Sequence, residues 1–312
     1  MNAGMAWPGA VTICEVGPRD GLQMEKTLLS VERKAEIIER LVDAGVRVLE
    51  VGSFVHPKAV PQMADTDEVV RRLKHHKGVE YRALVMNLKG VQRALDCGLG
   101  KVKLAASASR THTLKNMNST PEQVVKDFAE CAAFALSQKV QVSGAISTAF
   151  GCPFEGVVPL SQVESLARCF VDIGVTEISI SDTSGLGTPK QVFVYMTALC
   201  ARFPQVRWNL HLHNTRGLAA ANIIAGMQAG VGVVDASFGG LGGCPFAPGA
   251  SGNVATEDLI YMFDQDGVHT GLDREKIMDL AVEVCGWLGR DPDSCQIKVR
   301  KCQEALNAKK PA

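Results

Sequence analysis

Short apolar runs alternate with longer stretches in which apolar residues recur every three or four positions, a pattern expected of parallel strands joined by crossover helices. Eight runs stand out: Val11 to Val16, Val46 to Val51, Tyr81 to Val85, Lys101 to Ala106, Val140 to Ser147, Glu177 to Asp182, Trp208 to His213 and Val233 to Phe238. Between Val31 and Ala44 the residues Ile37, Ile38, Leu41 and Val42 fall on one helical face, Glu36, Glu39 and Arg40 on the other, and Gly45 is placed to stop the helix. Thr120-Pro121 and Thr188-Pro189 each read as a hydroxyl cap followed by a proline at the first helical position. Ser161 with Glu164 reads as a capping box that starts another helix.

Eight strand-helix units in one chain of 312 residues fit a closed (β/α)8 TIM barrel better than an open doubly wound sheet. A single catalytic domain over 1–312 follows, with the barrel over about 9–266 and additional C-terminal helices over about 267–305. After Asn253 come two more helical stretches, Thr256 to Phe263 and Arg274 to Leu288, and Asn307 to Ala312 reads as a frayed terminus.

Charge changes little in this picture. Lys plus Arg equals Asp plus Glu at 33 each, so no overall field favours nucleic acid or an anionic membrane, and neither is expected as a partner. No uninterrupted apolar stretch reaches the length of a membrane span. Ten cysteines without short paired spacing, in a chain with no N-terminal apolar secretion segment, point to a reducing compartment and a cytoplasmic address.

Chemistry enters with His211-Leu-His213 at the end of the seventh run, because two imidazoles two residues apart on a strand project from one face and can converge on one cation. The loop from Gly239 to Asn253 follows one run later and carries Cys244 among six glycines. That richness in glycine lets the loop fold a thiol and an amide over such a site. It lacks the lysine and hydroxyl of a phosphate-cradling loop. A barrel predicts that reactive side chains gather at the carboxyl ends of strands. Arg19 and Asp20 follow the first run, Glu50 is near the end of the second, Asp182 ends the sixth, the histidines end the seventh, and Cys244 and Asn253 follow the eighth.

Glu15-Val-Gly-Pro-Arg-Asp-Gly-Leu-Gln23, Ser53-Phe-Val-His-Pro-Lys-Ala-Val-Pro-Gln-Met63, Gly151-Cys-Pro-Phe-Glu155, the His-Leu-His strand and the cysteine loop together resemble the 3-hydroxy-3-methylglutaryl-CoA lyases, over roughly residues 9 to 290. The cysteine loop is the most specific part, since the related isopropylmalate and homocitrate synthases share the Arg-Asp-Gly and His-x-His elements without it. The resemblance implies an acyl-CoA substrate and a divalent cation, Mg²⁺ or Mn²⁺, held by Asp20, His211, His213 and Asn253. Such mixed oxygen and nitrogen ligands suit an octahedral ion with positions left for substrate.

The implied reaction is a retro-Claisen cleavage of a 3-hydroxyacyl-CoA. The cation would act as Lewis acid and template, with Arg19 on the thioester oxygen. Asp20 or His211 would accept the hydroxyl proton, and Cys244 would deliver one to the enolate carbon. Glu50 and Asp182 are expected to orient the arginine and the metal-bound groups. Gln23, Ser53, Ser179, Arg110 and Arg216 are the expected substrate contacts. A homodimer is compatible with the same family.

Where the family generally reads His-x-His-Asp-Thr-Tyr-Gly, this chain reads His211-Leu-His-Asn-Thr-Arg-Gly217, and Ser109-Arg110 stands where Ser-Glu is expected. These replacements shift local charge by about four units toward positive and favour an additional or differently placed carboxylate on the acyl group. Citramalyl-CoA or a longer 3-substituted glutaryl-CoA is therefore an alternative substrate. Contacts of Arg110 and Arg216 with CoA phosphates or rim acids are the other reading. An acetyl-CoA condensing synthase and a barrel without activity are the alternatives from other classes.

Overall fold

The structure is a computed structural model that describes residue 5 and residues 7–243 and 252–308. Eight strands form a closed barrel in chain order, every neighbouring pair parallel: β1 (Thr12–Glu15), β2 (Val48–Ser53), β3 (Glu80–Val85), β4 (Lys101–Ser107), β5 (Gln141–Ser147), β6 (Glu177–Asp182), β7 (Arg207–Leu212) and β8 (Val233–Ala236). The connecting helices are α1 (Val31–Asp43), α2 (Thr66–Arg72), α3 (Leu88–Asp96), α4 (Arg110–Met117), α5 (Pro121–Ser137), α6 (Leu160–Asp172), α7 (Pro189–Arg202), α8 (Ala219–Gln228) and α9 (Thr256–Gln265), followed by α10 (Arg274–Leu288) and α11 (Cys295–Ala308). The (β/α)8 barrel with C-terminal helices is thus the observed architecture.

Local signals act where they stand. Ser30, Thr120 and Thr188 accept the amide hydrogens of Arg33, Gln123 and Gln191 and so cap α1, α5 and α7. Gly45 takes φ +101° just past α1, and a Cβ there would lie 2.4 Å from the Gly271 carbonyl oxygen. The capping box at Ser161 does not form. Pro159, already at φ −64°, is the residue preceding α6, so Ser161 falls inside the first turn where its hydroxyl cannot cap. The eighth run ends early as well, because Phe238–Gly240 turns with Gly239 at φ +63°.

Alternation along the strands divides the barrel into two environments. Val102, Leu104, Ile178, Ile180, Leu210, Leu212 and Val234 join one continuous apolar core with the helices. The alternate positions face the barrel axis and are largely polar: Glu50, Arg82, Lys101, Lys103, Glu177, Asn209 and Asp235 are all buried. Towards the amino ends of the strands Arg82 pairs with Glu177 at 2.6 Å and also with Glu80, while Lys101 reaches Glu177 at 2.7 Å. Removing one member of such a buried set leaves an uncompensated charge, which costs about 3–5 kcal/mol. This layer closes the floor and leaves the carboxyl end of the barrel open for chemistry.

Candidate active site and metal centre

Just after β1 the chain makes a single π-helical turn, Gly17–Gly21, in which the amides of Arg19, Asp20 and Gly21 all converge on the Val16 carbonyl. That turn swings Arg19 and Asp20 over the barrel mouth. Across it, His211 is on β7, and His213, just beyond the strand, forms an antiparallel bridge with Asn253. One ligand atom from each of Asp20, His211 and His213 lies within 4.8 Å of the others.

The distances fit a cation. His211 Nε2 is 3.2 Å from His213 Nε2, and Asp20 Oδ2 is 3.8 Å from the first and 3.6 Å from the second. Adjacent corners of an octahedron with bonds of about 2.1 Å are about 3.0 Å apart, so these three atoms form a slightly expanded face of one. Asn253 Nδ2 donates to Asp20 Oδ2 at 2.8 Å and to the Leu241 carbonyl at 3.1 Å. Its Oδ1 is buried with no hydrogen-bond partner among the described residues, as expected of an oxygen reserved for a cation. The four residues expected as ligands are therefore brought together, and two imidazole nitrogens, a carboxylate and an amide oxygen suit Mg²⁺ or Mn²⁺. Gly242 allows this approach: it sits at φ +126°, and a Cβ there would be 2.6 Å from Asn253 Nδ2.

Electrostatics keep the Asp20 ligand ionised. Burial alone would raise the Asp20 carboxyl, but Arg19 beside it, helped by the His213 hydrogen bond and the imidazole charges, holds it well below the usual carboxylate range. His211 Nδ1 is 3.2 Å from Asp235 Oδ2, which fixes the ring and turns Nε2 to the centre. Asp235 itself accepts from Asn209 Nδ2 at 2.6 Å. Burial would raise this carboxyl too, and Lys103 first, then His211 and Asn209, bring it far below the ordinary value.

A cavity of about 320 Å³ opens over this cluster, lined by Arg19, Asp20, Gln23, Glu50, Lys103, His112, His211, His213 and Gly243 among others. Glu50 Oε1 lies 3.3 Å from Arg19 Nε, an ion pair without hydrogen-bond geometry. A second cavity, about 460 Å³, lies at the opposite end around Glu80, Lys101 and Gln141 and contains none of the cluster. The chemistry therefore belongs to the carboxyl end of the barrel.

Other expected residues are placed differently. Among the described residues Asp182 makes no side-chain hydrogen bond to Arg19 or to a ligand side chain. Its oxygens accept the Leu186 and Gly187 amides at 2.9 and 2.8 Å and brace the loop after β6, because a buried strand-end carboxylate takes the nearest free donors. Arg110 pairs with Glu122 at 2.6 Å on the surface, and Arg216 Nη1 donates to the Ser184 and Gly185 carbonyls, so neither guanidinium lines the cavity. Asn214 accepts the Ala219 amide at 3.3 Å and serves the start of α8. Ser53 and Ser179 are buried with unpartnered hydroxyls, level with the cavity residues Leu84 and Ala145 but outside the lining. Cys244 lies outside the described residues. Gly243, which precedes it, lines the cavity.

Sequence reasoning missed Lys103, Asp235, Glu15 and Glu257. Glu15 accepts the amides of Gly17 at 2.7 Å and Phe238 at 3.2 Å and the Thr256 hydroxyl at 2.7 Å, tying the π-helical turn to the root of the glycine-rich loop. Glu257 accepts the Gly239 amide at 3.1 Å. Burial pushes Glu15 up to about 8 and Glu257 up to about 7, against the hydrogen bonds that lower them.

A closed barrel with a mixed oxygen and nitrogen cation site at its carboxyl end, flanked by an arginine, defines a metal-dependent barrel enzyme. Residues 10–284 match the family model described as HMGL-like, and the chain belongs to that family. It is 42% identical over 289 residues to the mitochondrial hydroxymethylglutaryl-CoA lyase of Gallus gallus, covering 93% of this chain and 97% of that one. The Bacillus subtilis HMG-CoA lyase structure superimposes with a TM-score of 0.92 at 40% identity, covering 95% of this chain and 100% of the other. The HMG-CoA lyase of Acinetobacter baumannii, solved with coenzyme A and 3-methylmalate, gives a TM-score of 0.89 at 39% identity over 94% of this chain and 96% of its own.

Proposed function

We propose that this protein is a divalent-metal-dependent carbon-carbon lyase that cleaves 3-hydroxy-3-methylglutaryl-CoA to acetyl-CoA and acetoacetate. The observation that carries the reading is the convergence of Asp20, His211, His213 and Asn253 beside Arg19, on a chain so similar to hydroxymethylglutaryl-CoA lyases. A bound Mg²⁺ or Mn²⁺ supplies Lewis acidity and a template for the substrate's oxygens.

Cleavage breaks the bond between C2 and C3 of the acyl group. Its electron pair passes to the acetyl-CoA fragment as an enolate, the C3 hydroxyl becomes the acetoacetate carbonyl as its proton leaves, and the enolate carbon takes up a proton. No oxidant or water is consumed. We assign Arg19, paired with Asp20 and 3.3 Å from Glu50, to hold the thioester oxygen as negative charge develops there. We assign acceptance of the hydroxyl proton to Asp20, since His211, with Nδ1 on Asp235 and Nε2 at the cation site, has no free nitrogen for it. We assign the proton delivered to carbon to Cys244, which follows the cavity residue Gly243 in the chain.

The absence of Arg110 and Arg216 from the cavity lining favours the methylglutaryl substrate over one with a further carboxylate. We further assign the enzyme to a reducing compartment, the cytoplasm, where the nine described cysteines would stay unpaired, and to a homodimeric state. Subcellular fractionation and light scattering test these two assignments. The decisive assay for the reaction is mass spectrometry of a panel of 3-hydroxyacyl-CoA thioesters incubated with the protein, with and without EDTA. Acetyl-CoA released from the methylglutaryl thioester in an EDTA-sensitive manner is the expected result. Preferential cleavage of citramalyl-CoA would replace the substrate, and no cleavage of any thioester would overturn the reading.

A further inference from the structure

Lys103 is a lysine on the inward face of β4, with a side chain only 6% exposed. Its Nζ lies 2.9 Å from Glu50 Oε2 and 3.3 Å from Asp235 Oδ2. Both carboxylates have a second task. Glu50 Oε1 faces Arg19 Nε at 3.3 Å, and Asp235 Oδ2 holds His211 Nδ1 at 3.2 Å. An unbroken line of opposite charges and hydrogen bonds therefore crosses the barrel, from Arg19 through Glu50, Lys103 and Asp235 to His211.

Burial opposes the charge on Lys103, but Asp235 and Glu50 outweigh it, so the amine keeps its proton above the usual lysine range. The two acids lie on β2 and β8, separated in the barrel by β1. The shared cation is what draws them together. Without it Asp235 keeps Asn209 and His211 as partners but loses its link to Glu50, and Arg19 and His211 lose their common reference.

We propose that Lys103 is a positioning residue that holds the metal ligand His211 and the oxyanion-binding Arg19 in register through Asp235 and Glu50. The inference rests on the metal-dependent reading of the site, and it predicts an effect on cation binding before any substrate is present. A lysine that merely fills and stabilises the barrel interior would lower the melting temperature and leave cation affinity untouched.

The test is titration of the purified, metal-stripped protein with Mn²⁺, following the signal of the free ion by electron paramagnetic resonance. Lys103→Met is expected to bind Mn²⁺ about 10- to 100-fold more weakly than the parent, the range seen when outer partners of metal ligands are lost. Its kcat should fall more than its KM rises. Lys103→Arg, which keeps a cation between the acids, should recover most of the Mn²⁺ affinity. If Lys103→Met does not fold, the charge-balanced Lys103→Met/Glu50→Gln pair takes its place, with Asp235 and His211 intact and the same weakening expected. Parent-like Mn²⁺ affinity in either folded protein overturns the proposal. Because the titration contains no thioester, a wrong substrate leaves its outcome unchanged, and the two failures are distinguishable.

Discussion

His211 Nδ1 lies 3.2 Å from Asp235 Oδ2, so the outer nitrogen of the imidazole is committed to a fully buried carboxylate and Nε2 alone faces His213 and Asp20. Asp235→Asn keeps the shape and removes the charge that fixes the ring. We predict a 10- to 100-fold loss of Mn²⁺ affinity, read by isothermal titration calorimetry on folded protein. Unaltered affinity would show that His211 needs no such partner.

His213→Ala removes one of the two nitrogens from the cluster while leaving Asp20, His211 and Asn253 in place. Metal retained after dialysis, measured by elemental analysis, is expected to fall from one ion per chain towards none, and metal-dependent cleavage with it. Full retention of the ion would remove His213 from the ligand set.

Cys244→Ser tests the assignment of the carbon-directed proton. A serine hydroxyl is a far poorer acid than a thiol, so kcat is expected to drop by about 10²- to 10⁴-fold, the contribution typical of a positioned proton donor. Mn²⁺ binding and the dissociation constant for substrate should stay near the parent values. Near-normal turnover would end the role of this thiol in the chemistry.

Glu15 gives the fold a pH dependence. Its folded value of about 8 lies above the ordinary 4.5, so its contribution is complete below pH 4.5 and is lost as pH rises through 8. Across that window this one group lowers stability by about 1.4 kcal/mol per pH unit, because the ionised carboxylate is favoured in the unfolded chain. Glu15→Gln should flatten the pH dependence of the urea midpoint between pH 5 and about 8. An equally steep slope in that variant would assign the dependence to another group, Glu257 at about 7 being the nearest.

The parts of the site legible in the sequence were those with a short-range signature. Asp20 and Arg19 belong to a turn directly after a strand, and the spacing of His211 and His213 puts them on one side of the chain at any strand position. The ligand set followed from those motifs and from the family they resemble. Lys103, Asp235 and Glu15 carried a fainter signal, a polar residue at every second place in otherwise apolar runs such as Lys101-Val-Lys103-Leu104. In an isolated strand that alternation reads as one face in water. Ser161 offers a cap that does not form, and α11 falls outside the two named late helices, for a related reason. Pro159 overrides the local cap preference, and α11 buries only Ile297, so its apolar face is too thin to stand out.

The sequence by itself determined the alternation of strands and helices, the count of eight, the chemical types gathered at strand ends and the parity of the two histidines, because these depend on neighbours along the chain. Only the tertiary structure decided which strand face lies inside and who meets whom there. Closure of the barrel turns the polar alternate positions inward, where no water can satisfy them, and they must find one another across long stretches of chain. Lys103 and Asp235 are 132 residues apart and Asn253 and Asp20 are 233 apart, so their pairing is set by strand order and tilt rather than by local spacing.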